Sequence, residues 1–348
     1  MTWLLASNLF PVLYPGWSTF HYWAIALSTS LLFFGSILAH ELGHSVVALH
    51  YGIKVKSITL FVLGGVAQIE RDPPRPGIEF LIAIAGPVVS ALLGVVILGV
   101  YFLAGDSNES VGAMSLYLGR INIFVAVLNM IPAFPLDGGR VFRAFIWRVG
   151  GSFVSATKMS ATLGKGIGYL SIVGGLFLSF WTRDIFSGLQ LSFIGWFLAN
   201  AASASYTQVV MRQALEGVRA GEIMGPAPSP LPREIDLLTL VEHYIAFTGR
   251  RCFIVGGPGY WEGLVSLTDI KSVPREKWAS TRVADIMVPK SRAVVVGPDT
   301  DAAQAVELMD ESSVSQLPVV DRDLVVGMVG RDSIIGMARN RAEFKTSA

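Results

Sequence analysis

Cysteine is nearly absent. Cys252 is the only one in 348 residues, which excludes an internal disulfide or a multi-cysteine metal site and leaves it as a small core residue of a cytosolic segment. Charge is scarce as well: Asp, Glu, Lys and Arg make up 15% of the chain, with 27 basic against 26 acidic residues and a formal net charge of +1. There is no overall basic field of the kind that binds nucleic acid. The opening run from Met1 to Pro11 has neither a positively charged leading region nor a small-residue cleavage site, so it reads as mature protein and not as a secretory signal. In place of charge there is apolar surface, with 52% hydrophobic residues and a mean hydropathy of +0.54. That balance excludes an ordinary soluble protein, and the length suggests two or more domains.

Hydropathy divides the chain. Residues 1 to 10 are apolar but too few to cross a bilayer of about 30 Å at about 1.5 Å per residue, and read as a shortened first helix or a surface-lying segment. Spans are expected at about 22–50, 80–105, 111–132, 166–182 and 185–211, with Gly86-Pro87 kinking or breaking the second. Between the first two, the β-branched alternation from Ser57 to Ile69 around Gly64-Gly65 reads as a strand or hairpin at the membrane surface, closed by a proline-rich loop from Arg71 to Pro76. Arg120, inside the third span, reads as snorkelling to the outer interface. Lys54, Lys56, Arg71, Arg75, Arg140, Arg143, Arg148, Lys158 and Lys165 fall on the side where the first full span ends, which makes that end cytoplasmic.

From Arg212 the texture is that of a soluble domain, and it repeats. Glu222-Ile-Met-Gly-Pro recurs as Asp285-Ile-Met-Val-Pro, and Gly263-Leu-Val-Ser-Leu-Thr-Asp-Ile recurs as Gly327-Met-Val-Gly-Arg-Asp-Ser-Ile. Each unit predicts a helix (237–247; 301–312), two short strands (252–255 and 263–267; 317–320 and 324–329) and a further helix. The expected organisation is a membrane domain over 1–211, repeat units over 212–280 and 281–340, and a polar tail over 341–348.

The chemistry concentrates at Ser36 to His50. His40 and His44 are four apart, so on a helix their rings share one face within reach of a single metal ion, with Glu41 beside them. The run from Tyr22 to Ala39 has no charged residue. Ionisable groups at the end of such a span are costly unless they bind something or face water. A hydrolytic zinc wants three protein ligands and an open position. His50 is excluded as the third, because an uninterrupted helix turns it about 120° from the His40/His44 face. Asp137 stands between Pro132 and Pro135 on one side and Gly138-Gly139 on the other, so it is carried on irregular backbone. It is either the missing ligand or an N-cap of the helix that follows. Asn122 and Asn129, seven apart, share a helix face and need partners or a water-lined groove.

His40-Glu-Leu-Gly-His44, Ala85-Gly-Pro-Val-Val-Ser90 and Asn129-Met-Ile-Pro-Ala-Phe-Pro-Leu-Asp-Gly-Gly-Arg140 together resemble the site-2 protease family of intramembrane zinc metalloproteases, peptidases of the M50 type. The C-terminal repeat resembles a CBS-domain pair, and the combination resembles the CBS-containing branch of that family. The resemblance implies a polytopic α-helical membrane protein with a cytosolic α/β CBS pair. It implies one zinc per chain on His40, His44 and Asp137, Glu41 as catalytic base, and Asn129 holding the substrate backbone. CBS pairs imply ATP, ADP or AMP as ligands, here at Ser266, Thr268 and Asp269, with Asp332 the counterpart in the second repeat, where Gly330 replaces the expected hydroxyl. They imply homodimerisation too, and a dimerisation platform without ligand is the alternative. The expected substrate is a single-span membrane protein. The competing functions are a CBS-regulated transporter or channel and an inactive protease-like scaffold.

Overall fold

A computed structural model describes residues 1–61, 64–69, 72–105, 107–246 and 251–346. The expected loop residue Arg71, the hairpin turn and the end of the 237–247 helix lie outside the described residues. The chain divides into two compact units, Met1–Thr207 and Gln208–Ala348.

The first unit is helical. A short apolar helix, α1 (Thr2–Leu13), precedes α2 (Thr19–His50), α3 (Pro76–Ala104), α4 (Glu109–Asn129), α5 (Asp137–Gly150), α6 (Phe153–Thr182) and α7 (Ile185–Leu215). Among the described residues, α2, α3, α4, α6 and α7 are long and apolar enough to cross a membrane, and they coincide with the five expected spans. This is a multi-pass membrane protein. Their outward faces carry large apolar side chains such as Phe102, Leu103, Phe180 and Phe186, as lipid-facing helices do.

Several helix ends have a local cause. The Ser18 hydroxyl accepts from the His21 amide at the head of α2, and Gly52, with φ +73°, closes its other end. Asn108 caps α4 by accepting from the amides of Ser110 and Val111. Gly151, with φ +72°, stops α5. Pro87 does not break α3, which runs through it. The α1 helix is not a loose tail: Leu5, Ala6 and Phe10 are buried with Ala26 and Ala113, and the Thr2 hydroxyl donates to Ser30 Oγ over 2.8 Å. The expected hairpin forms as β1 (Val55–Phe61) and β2 (Gly64–Ile69), antiparallel with Phe61 opposite Gly64.

Arg143 is not the loop charge expected, since it is buried and ion-paired with Glu79, so it drops out of the charge count used for orientation. His21 shares a 2.8 Å hydrogen bond with Ser110 Oγ and meets the edge of Trp17.

The second unit holds two three-stranded antiparallel sheets. One joins β4 (Cys252–Gly257), β5 (Tyr260–Ser266) and β6 (Val288–Pro289). The other joins β3 (Gly225–Pro226), β8 (Leu324–Gly330) and β7 (Gln316–Asp321). The two Ile-Met-x-Pro segments are thus exchanged: Pro226 lies opposite Gly327, and Pro289 opposite Gly263. Each repeat completes its sheet with a strand from the other. Residues 341–346, expected as part of a tail over 341–348, continue the helix Arg331–Thr346, and 347–348 lie outside the described residues.

Cys252 sits in this core at 8% exposure, and burial pushes its thiol from an ordinary 9.0 up to about 12. At pH 8 about one molecule in ten thousand would then carry a thiolate. Iodoacetamide at pH 8 is therefore expected to leave native protein unlabelled and to label it once urea unfolds the unit. The raised value also means that this thiol's contribution to stability is intact below pH 9 and is lost as pH rises toward 12. Rapid labelling of native protein at pH 8 would contradict both statements.

Candidate metal centre

α2 delivers His40, Glu41 and His44, all buried at 5%, 8% and 4% exposure. One helical stripe of α3 lies against them. Glu79, Ala83, Gly86 and Ser90 follow one another at three- and four-residue steps, Ile82 lies beside them, and all five are buried. Ser90 Oγ is 2.9 Å from His40 Nδ1, and the Ile82 carbonyl is 2.6 Å from His44 Nδ1. A carbonyl only accepts, so His44 carries its proton on Nδ1 and presents a bare Nε2 lone pair. The glycine between these partners is required. A Cβ at Gly86 would stand 2.6 Å from His40 Nε2 and closer still to His44 Nε2.

Asp137 arrives from the other side. The chain leaves α4 through Met130 to Leu136, where the Phe134–Pro135 peptide is cis. The Phe134 amide donates to the Ser160 carbonyl, and Ser160 Oγ donates to the Gly139 carbonyl. This loop crosses the first turn of α5 so closely that a Cβ on Gly139 would lie 2.5 Å from the Ala133 and Phe134 backbone. Asp137 is the first residue of α5. The preceding Leu136 occupies the cap position without a side-chain cap bond, so the N-cap reading is not realised. Asp137 Oδ2 instead lies 3.1 Å from His40 Nε2 and 3.2 Å from His44 Nε2, and the two Nε2 atoms are 3.2 Å apart.

Those three distances bear on what the cluster can hold. Ligands at 2.0–2.2 Å from a tetrahedral ion stand roughly 3.3 Å apart. Three atoms rich in lone pairs at nearly that spacing, with the outer imidazole nitrogens spent on Ser90 and Ile82, fit a metal ion at their centre. Burial would raise the Asp137 carboxyl, but its contacts with His40 and His44 and the charge of Arg140 outweigh it and hold the group well below the usual carboxylate range. It offers a carboxylate, the form that binds a cation. His40, His44 and Asp137 are the cluster of potential ligands among the described residues.

The other expected site residues fall elsewhere. His50 is exposed and meets Tyr51 edge-on. Asn129 ends α4, half-buried and outside the hydrogen bonds that link the three ligands. Asn122 is the buried amide, donating to Ser36 Oγ and the Leu118 carbonyl. Arg120 is exposed beside an apolar cavity that Phe10 and Tyr117 also line. In the second unit, Ser266 and Asp269 form a capping box: Asp269 Oδ2 accepts from the Ser266 amide and hydroxyl at 2.7 and 2.6 Å. Thr268 and Asp332 are exposed. A cavity of about 480 Å³ lies beside Gly138, lined largely by apolar residues including Phe80, Met130, Pro132, Val141 and Phe145.

Glu79, Gly86, Ser90 and Arg143 surround the site without having been derived from spacing. Gly86 and Ser90 lay within a quoted motif. The available signal for Glu79 was a lone carboxylate in register with Ser90 on a helix otherwise free of charge.

The chain is similar to known proteins across the region that holds this cluster. The model for "Peptidase family M50" matches residues 28–114 and 105–173, and that for "CBS domain" matches 283–339, the second repeat. A Synechocystis protein provisionally named a zinc metalloprotease is 33% identical over 326 residues, covering 90% of this chain and 83% of that protein. Rip3 of Mycobacterium tuberculosis, also provisionally named a zinc metalloprotease, is 30% identical over 332 residues, covering 94% and 84%. The solved site-2 protease of Methanocaldococcus jannaschii aligns with 59% of this chain and 88% of its own, at 29% identity and a TM-score of 0.41. Relatives covered to 83% and 84% of their own length, and a family model over the region that holds the histidine–carboxylate cluster, lead to one conclusion: this chain belongs to peptidase family M50, the zinc metalloproteases of site-2 protease type, with a CBS region at its C-terminal end.

Proposed function

We propose that the protein hydrolyses peptide bonds in or near transmembrane segments of single-span membrane proteins, using one zinc held by His40, His44 and Asp137. The observation that carries this reading is the spacing of the three donor atoms, 3.1 to 3.2 Å, inside a membrane-type helix bundle. Zinc supplies Lewis acidity, which polarises a carbonyl and acidifies water. Glu41 accepts the proton of the attacking water and passes it to the departing amine nitrogen, so the C–N bond and one O–H bond of water break as a C–O and an N–H bond form, with no net change in the enzyme. A substrate helix must unwind before attack. The β1–β2 hairpin offers a strand edge to pair with it, Asn129 holds its backbone, and the cavity beside Gly138 has room for its apolar side chains.

In this reading the His50 end of α2, the start of α3 and the C-terminal region are cytoplasmic, which the odd number of spans and the loop charges at Lys54, Arg75, Arg148 and Lys158 support. There the CBS region acts as a homodimeric regulator that takes an adenine nucleotide at Ser266, Thr268, Asp269 and Asp332. Because Asp269 is engaged in its own helix cap, nucleotide binding has to rearrange that cap. Calorimetry without heat for ATP, ADP or AMP would leave the region a dimerisation platform.

The activity is tested by comparing membrane proteomes of native-host cells that express the wild type or Glu41→Gln. Single-span proteins or fragments that accumulate only in the variant are the expected result. Unchanged proteomes, with flux of some solute insensitive to Glu41→Gln, would favour a transporter instead.

A further inference from the structure

Glu79 and Arg143 are the most deeply buried charges outside the metal cluster, at 0% and 6% exposure, and hydrolysis gives neither of them a task. Arg143 donates through Nε to Glu79 Oε1 over 2.7 Å, and Nη2 pairs with the same oxygen. Its Nη1 reaches Thr157 Oγ1 at 3.4 Å. The guanidinium also lies over the Phe134 ring at 5.0 Å and the Phe153 ring at 4.4 Å. One side chain thus touches α3, α6 and the loop that delivers Asp137, while belonging to α5, the helix that Asp137 begins.

The partner is placed with equal economy. Glu79 is on the α3 stripe whose Ile82 carbonyl and Ser90 hydroxyl orient the two histidine rings. The ion pair therefore joins the helix that orients the histidines to the helix that carries the carboxylate. We propose that Glu79 and Arg143 are positioning residues, a clamp that sets Asp137 at ligand distance from His40 and His44; this rests on the metal reading of that cluster. A pair kept only for stability would be a poor choice, since burying two charges costs much of what their attraction returns. A forked guanidinium held by three elements gives geometric definition that an ammonium on a flexible stem does not.

The test uses full-length protein in detergent, with Co²⁺ as a spectroscopic probe and Zn²⁺ in competition. Glu79→Gln and Arg143→Lys are expected to weaken zinc by about 10–100-fold, as for other residues that orient ligands, and to alter the visible cobalt band, while the apo proteins still elute as the wild type does. Should both fail to fold, Thr157→Val carries the test: it removes only the hydroxyl at Nη1 and is expected to weaken zinc several-fold and shift the band. Folded variants with the wild-type cobalt band and zinc affinity would overturn the clamp. A wild type that takes up neither metal would overturn the metal centre itself, and the clamp with it.

Discussion

Glu41→Gln is expected to lower peptide-bond hydrolysis by about 10²–10⁴-fold, the range that a positioned acid–base group supplies, while the purified variant keeps one zinc per chain. The separation follows from the geometry. Glu41 is buried on α2 but stands outside the set of three donor atoms, which comprises two imidazole nitrogens and Asp137 Oδ2. Glutamine keeps the shape and the hydrogen-bonding carbonyl and loses the capacity to take a proton at neutral pH. Metal analysis alongside accumulation of uncleaved membrane proteins checks both halves. Wild-type turnover in the variant would remove Glu41 from the mechanism, and loss of zinc would make it a ligand or a structural support.

The second large effect is expected at a residue with no side chain. Gly86→Ala should cost zinc affinity more than about 100-fold, beyond the usual effect of a residue around a metal site, because the new methyl would occupy space between the ligand nitrogens. The histidines cannot step aside freely. His40 Nδ1 is engaged with Ser90 and His44 Nδ1 with the Ile82 carbonyl, both on the same helix as Gly86. The helix itself should tolerate alanine, which has the higher helix propensity. The clash with rings so held is overpacking, so the apo variant is expected to lose about 1–3 kcal/mol of stability and still to fold, while its zinc content falls. Retained zinc would mean that the α2–α3 contact gives way by about 1 Å, the move that brings the new methyl to an ordinary carbon–nitrogen contact.

The spans were legible because lipid demands a long apolar run, and each of the five helices overlaps its expected stretch, although α4 stops at Asn129 and α6 starts as early as Phe153. His40 and His44 were legible for a similar reason: a helix fixes which residues share a face. Asp137 was not settled by spacing. Whether a carboxylate at the head of a helix caps it or turns away depends on the path of the preceding loop, which is set where Phe134 and Gly139 meet Ser160 of the following helix. Arg143 misled for the opposite reason. Loop-charge counting treats an arginine near a span end as solvated, and only the fold brings Glu79, 64 residues away, against it. The repeat at the C-terminal end was visible as two copies, yet the exchange of β3 and β6 between them was not, because strand partners two residues long leave no periodicity to read.

The central claim is that His40, His44 and Asp137 hold one metal ion, and zinc content of the purified full-length protein tests it most directly. Wild type and Glu41→Gln are expected to carry one zinc per chain, and His44→Ala and Asp137→Ala essentially none. Equal zinc in all four, or none in the wild type after purification with zinc present, would contradict the account.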